Sequence, residues 1–323
     1  MLTELYQNKN KKFKAIFIQN FFRFGGSYFY NQFIKNKSVI GFYEPFHEDL
    51  SNIKKIEDGR KNFQKRKKLF NHPNEEFYFQ NYPLNKKWFK EFHNINLKSN
   101  FFLVKKKEIT IFQNYLKNLI DFGYSNMKLP VFKLNRVYLN PEVLEINEIY
   151  KIFLFRDPVA SFFSNIRLNL LKPYYDRISQ LASEGVEPFK SLWNLVLLNE
   201  VNHITLKEKK INFVSQKDLE VHYSIFFYIW LYGLYKNFEF NYTFINYSKL
   251  EDTIYKNKIS EEIFLQCNIQ IDFSNFDQNK DPSYSLKIPI NQKINNLIKN
   301  FMDANRLNRI LSNNFDINHF NLS

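Results

Sequence analysis

The stretch Ala15-Ile-Phe-Ile-Gln-Asn-Phe-Phe-Arg23-Phe24-Gly25-Gly26-Ser27-Tyr28-Phe-Tyr30 reads as an apolar strand, a tight turn and the start of a helix. The turn carries a cation, two adjacent glycines and a hydroxyl, in a chain with only 7 glycines among 323 residues. Adjacent glycines let the backbone turn sharply and present its N–H groups, and the following helix adds the positive end of its dipole. Such a turn suits a phosphate or sulfate, and Arg23 adds a planar charged fork to the same anion. Taken alone, the pattern also serves as a plain strand-to-helix connection.

Arginine is scarce: 9 of the 46 basic residues, the rest being lysine. Against that background Arg23, Arg136, Arg156 and Arg167 read as placed for bidentate geometry rather than for charge alone. The formal net charge is +14, with lysine-rich clusters at 9–14, 60–68, 105–107 and 207–210. These read as solvated faces, and the positive field they make favours an anionic nucleotide or an acidic glycan.

Outward from the glycine turn, short apolar runs at 15–19, 39–43, 129–134, 150–155 and 242–246 are expected as buried strands. Helical patterns at 27–35, 109–122, 159–171, 217–237, 260–267 and 292–312 alternate with them. Alternation of this kind predicts an α/β fold, a parallel central sheet with helices on both faces. Ligands then gather at the carboxyl ends of the strands, where Arg23, Glu44 and Arg156 are expected. The whole chain reads as one α/β domain, with segments 48–99 and 172–213 as insertions that shape an acceptor cleft.

Hydrophobic content of 44% and aromatic content of 19% argue against wholesale disorder. The single cysteine, Cys267, excludes an internal disulfide, and the six histidines show no paired ligand spacing, so no metal is expected. No apolar run approaches the roughly 18 residues of a membrane span, and the chain reads as soluble and cytoplasmic.

A second anion signal follows the fourth apolar run, in Phe155-Arg156-Asp157-Pro158-Val-Ala-Ser-Phe-Phe-Ser164-Asn-Ile-Arg167. The strand ends at Arg156, Asp157 can cap a helix, and Pro158 suits its first turn. Ser164 lies a little over two helical turns beyond Arg156.

With both signals in hand, the chain resembles the sulfotransferases that use 3′-phosphoadenosine 5′-phosphosulfate (PAPS), enzymes with a P-loop-like fold. Their first motif is a strand, a basic residue, a short Ser-Gly-Thr-Thr-like turn and a helix, matched here by Arg23-Phe24-Gly25-Gly26-Ser27 with Tyr28 next on the helix. Their second is a strand ending in Arg-Asp-Pro with a serine eight residues after the arginine, matched by Arg156 and Ser164. Phe42-Tyr43-Glu44-Pro45 and Phe244-Ile-Asn-Tyr247-Ser-Lys-Leu250 are weaker echoes, and the landmarks fall in the family's order. The resemblance implies that Arg23 to Tyr28 hold the 5′-phosphosulfate and that Arg156 and Ser164 hold the 3′-phosphate. Phe24 departs from the family by standing where a small hydroxyl residue is usual. The glycine-rich C-terminal loop of cytosolic members has no match in 272–287, which points to the carbohydrate-modifying or bacterial branch.

Sulfuryl transfer needs positioning, charge neutralisation and a base for the acceptor hydroxyl. Glu44 is the first candidate base, with His47 and Glu48 close behind it in Glu44-Pro-Phe-His47-Glu48. Glu44 can equally serve as a structural ion-pair partner or a cap. No metal is required, and a glycan hydroxyl is the expected acceptor. Two other readings compete. A P-loop kinase would need a Gly-x4-Gly-Lys-Ser/Thr loop, which this turn is too short to supply. A lysine-rich nucleic-acid-binding module would need exposed aromatics between its basic runs, whereas these fall within apolar patterns.

Overall fold

In the computed structural model, five strands form one parallel sheet in the order β2-β3-β1-β4-β5. They are β1 (Ala15–Asn20), β2 (Val39–Tyr43), β3 (Leu129–Leu134), β4 (Ile149–Phe155) and β5 (Thr243–Asn246). The structure describes residues 13–21, 24–70, 79–83, 106–167, 171–187, 189–198, 216–273, 290 and 292–304. The expected parallel α/β architecture is therefore present, with each strand within one residue of its expected bounds.

The chain divides into two compact units, Met1–Phe155 with Lys236–Gln278, and Arg156–Tyr235 with Asn279–Ser323. The first holds the sheet. Its strands are apolar on both faces because helices cover both. On one face Ile16, Ile18, Val131 and Ile152 pack with Phe29 and Phe33 of α1 (Gly26–Ile34). On the other, Phe17, Phe42, Phe132 and Leu134 pack beneath α2 (Ile53–Phe70) and α3 (Ile109–Ser125), through Ile56, Leu116 and Leu119. Within the 48–99 segment the structure describes a 3-10 turn at Glu48–Ser51 followed by α2.

The strand order has a consequence for binding. The chain leaves β1 toward β2 on one side of the sheet, whereas β4 leads to β5 on the other. Connections that diverge from neighbouring strands open a crevice at their carboxyl ends. β1 and β4 pair in register from Ala15↔Ile149 to Asn20↔Leu154, so the divergence falls just beyond Asn20, at the glycine turn.

The second unit is helical. It contains α4 (Pro158–Arg167), α5 (Leu171–Ser183), α6 (Phe189–Leu198), most of α7 (Gln216–Phe238) and α9 (Gln292–Ala304). The 159–171 pattern, read as one helix, is α4 followed by the start of α5. Phe162 of α4 packs against Tyr223 and Phe226 of α7, and Phe301 of α9 against Tyr228, Tyr232 and Tyr235. In the first unit α8 (Thr253–Cys267) begins earlier than the expected 260, because Asp252 caps it by accepting from the Tyr255 amide at 2.9 Å. Among the described residues no helix is long and apolar enough to cross a membrane.

Candidate functional site

The amino ends of the first four strands begin with Ala15, Val39, Leu129 and Ile149, all buried and apolar. The carboxyl ends bury polar groups instead: Gln19 and Asn20 at the end of β1, Glu44 after β2, Lys133, Asn135 and Arg136 at and after β3, and Asn246 in β5. Burying so many polar side chains costs free energy unless each is paired or put to use.

The glycine turn sits at this edge. Gly25 adopts a left-handed conformation (φ 84°, ψ 7°) and forms the N-cap of α1. A Cβ there would also run into the ring of Tyr247, so any other residue meets both strain and a clash. At Gly26 a Cβ would strike the carboxamide of Asn20. The Asn20 amide nitrogen donates to the Phe21 carbonyl at 2.7 Å, while its buried Oδ1 accepts no hydrogen bond within the described residues. α1 has no side-chain cap and no acidic residue in its first turn. The dipole end of α1 therefore carries no acidic side chain of its own first turn, a setting that favours a negative charge placed there.

Phe24 stands in the turn where the resembling motif has a small hydroxyl residue. Its side chain is fully buried against Phe21 and Tyr138, with ring centroids 5.4 and 6.3 Å away, so it anchors the turn and can meet a ligand only through its backbone. Tyr28 lies on the first turn of α1, where burial, aided by Tyr247 and Asp272, pushes its phenol up to about 12. It is therefore neutral at physiological pH. Arg23 lies outside the described residues.

Ser27 and Glu44 are joined through two side chains that the sequence reading did not single out. Ser27 Oγ lies 2.7 Å from the Tyr43 hydroxyl. Lys133, in register with Tyr43 on the neighbouring strand, places Nζ 4.2 Å from the centre of the Tyr43 ring. The same Nζ donates to Glu44 Oε1 at 2.7 Å, and both side chains are almost wholly buried. The Asn135 amide approaches Glu44 Oε2 at 3.4 Å.

Glu44 reaches Lys133 by an unusual route. Strand residues alternate between faces, so an extended Glu44 would point away from Tyr43 and Lys133. Its left-handed backbone (φ 50°) undoes that alternation, at a cost of about 1–2 kcal/mol for a residue with a Cβ. The left-handed backbone is also one that a following proline, here Pro45, discourages. Strain of this kind persists only where surrounding structure holds it, and such places cluster at functional sites.

His47 caps the 3-10 turn Glu48–Ser51 by accepting the Asp49 amide at Nδ1, 3.1 Å away. With Nδ1 accepting, a neutral His47 carries its proton on Nε2, making that nitrogen a donor rather than a base. Burial alone would raise the Asp49 carboxyl, but a hydrogen bond from Lys55 and the charges of Lys55 and Arg136 hold it below the usual aspartate value. Arg136 is itself buried. The side chain of Glu48 lies outside the described residues.

Arg156 and Ser164 belong to the second unit. Arg156 directly follows β4, and its carbonyl accepts from Trp230 Nε1 at 3.2 Å. Asp157 caps α4 by accepting the Ala160 amide at 3.0 Å, and Pro158 opens the helix, as the sequence implied. Ser164 is buried on α4 beside Asn165, whose side-chain Nδ2 donates to the Ser161 carbonyl. Among the described residues no cluster of His, Cys, Asp and Glu suits a metal ion. No family model, curated protein or solved structure matches this chain.

Proposed function

We propose that this chain is a sulfotransferase with P-loop-like architecture, taking a sulfuryl group from PAPS and delivering it to an acceptor hydroxyl on a carbohydrate. The observation that carries this reading is the uncapped glycine turn at the carboxyl end of central strand β1, linked through Ser27, Tyr43 and Lys133 to a buried glutamate. The two sulfotransferase-like motifs in the sequence add to it.

In this reading the amides of Gly25, Gly26 and Ser27, with Arg23 and Tyr28, hold the 5′ end of the donor. Phe24 contributes its backbone. In the second unit, Arg156 and Ser164 are the proposed ligands of the 3′-phosphate. Transfer forms a bond between the acceptor oxygen and sulfur and breaks the bond from sulfur to the phosphate oxygen. The turn amides and Arg23 neutralise the departing phosphate, and the acceptor proton passes to Glu44. Lys133 holds Glu44 Oε1, while among the described residues Oε2 makes one long contact, so Oε2 is the oxygen assigned to that proton. In this reading side-chain cations and backbone N–H donors neutralise the charge.

Thermal shift with three ligands in parallel tests the proposal: adenosine 3′,5′-bisphosphate, ATP with Mg2+, and an oligonucleotide. Stabilisation by the bisphosphate alone is expected, since a ligand that binds only the folded chain raises its melting temperature. Stabilisation by ATP with Mg2+ alone would favour a kinase-like enzyme, and by the oligonucleotide alone a nucleic-acid-binding module.

A further inference from the structure

Tyr43 is where the two halves of the carboxyl-edge site meet. Its hydroxyl lies 2.7 Å from Ser27 Oγ, its ring 4.2 Å from Lys133 Nζ, and its carbonyl accepts from the Tyr82 hydroxyl at 3.1 Å. Tyr30 packs edge-on against the ring, with centroids 5.5 Å apart. The next residue is Glu44, which shares the same Lys133 Nζ.

We infer that Tyr43 is a positioning residue that orients the Ser27 hydroxyl toward an anion on the glycine turn while seating the Lys133–Glu44 pair. A serine hydroxyl has one proton to give and lone pairs to accept with. When the Tyr43 phenol donates to Ser27 Oγ, the serine proton is directed elsewhere, and the neighbouring leading amides of α1 define where an anion would take it. The ring works separately: its face holds the Lys133 ammonium, which in turn holds Glu44. One residue thus serves the donor side with its hydroxyl and the acceptor side with its ring.

The inference rests on the reading that the turn binds the 5′ end of an adenosine bisphosphate. Tyr43→Phe isolates the hydroxyl, because phenylalanine keeps the face for Lys133 and the edge contact with Tyr30. Affinity for adenosine 3′,5′-bisphosphate should fall about 3–10-fold, the worth of one hydrogen bond. Affinity for adenosine 3′-phosphate, which has nothing to place on the turn, should not change. Ser27→Ala should show the same loss, and the double variant no more than either single one, because both changes remove one shared contact. Additive losses would overturn the inference. So would a Tyr43→Phe protein that fails to fold, or that melts lower with unchanged affinity, since the hydroxyl would then be structural. Wild-type protein that binds the bisphosphate but ignores both substitutions overturns the inference alone. Wild-type protein that binds no adenosine phosphate overturns the sulfotransferase reading with it.

Discussion

Two glutamates with left-handed backbone stand at opposite ends of the same sheet. Glu148 (φ 60°) comes just before β4, and Glu44 (φ 50°) just after β2. The side chain of Glu148 is 55% exposed and pairs with the equally exposed Lys14, while its carbonyl accepts the Lys14 amide at 2.6 Å as the chain enters β1. Glu44 is 7% exposed and paired with a lysine that is 3% exposed. The backbone strain is similar in kind, but its use differs. At the amino edge it shapes a turn between strands, and an exposed pair there contributes about 0–1 kcal/mol. At the carboxyl edge it aims a carboxylate at a buried cation, and removing one partner of such a pair costs about 3–5 kcal/mol. The contrast separates a turn that carries an exposed ion pair from one that buries it.

The largest expected effect is on rate. Glu44→Gln should lower turnover on the order of 10²–10⁴-fold in a sulfuryl-transfer assay, the usual worth of a general base, whereas Glu148→Gln should leave it unchanged. Near-native turnover in Glu44→Gln would leave the pair a structural role only.

Stability sharpens the contrast next. Lys133→Met strands Glu44 in the interior and should cost about 3–5 kcal/mol in urea unfolding, and adding Glu44→Gln should recover much of it. If the double variant is no more stable than Lys133→Met, the two residues are not energetically coupled. Smaller again is the effect of glycine at the two left-handed positions. Glu148→Gly should stay within about 1 kcal/mol of wild type, because relief of strain offsets the extra flexibility of the unfolded chain. Glu44→Gly forfeits the ion pair and should be clearly destabilised.

The smallest effect is electrostatic, at Asp49. Its carboxyl is held below the ordinary aspartate value in the folded protein. The ionised form therefore adds stability above the unfolded-state value, and that contribution is lost as the pH falls through the folded-state value. Asp49→Asn should lower the melting temperature slightly at neutral pH and converge with wild type once the pH has fallen below the folded-state value. A difference that persists in acid would assign the effect to packing.

The strands were legible because buried parallel strands appear as short apolar runs, and these runs match β1 to β5 closely. The turn after β1 was legible because paired glycines stand out in a glycine-poor chain. Lys133 was not, since one lysine in Leu129-Pro-Val-Phe-Lys133-Leu does not disturb a strand pattern, and its burial depends on partners from β2. Tyr43 escaped for the same reason: a terminal aromatic looks like core until its neighbour across the sheet is known. α2 was missed because it is charged on most sides, with few apolar residues such as Ile56 to mark an inner face. The first half of α8 was missed for lack of an apolar period, although Asp252 announced its cap.

The ring of Tyr247 beneath Gly25 carries a consequence for biogenesis. The turn lies near the start of the chain, yet the group that fills the space beside it arrives only with the 3-10 turn Tyr247–Glu251, whose first residues are set by Asn246 at the end of β5. A ribosome-bound chain that has emerged only through β4 has the glycines but not the surface they rest on. Contacts so distant in sequence form late. The turn would therefore mature as one of the last parts of the first unit, and the nucleotide binding proposed for it would report that the sheet has been completed to its final strand.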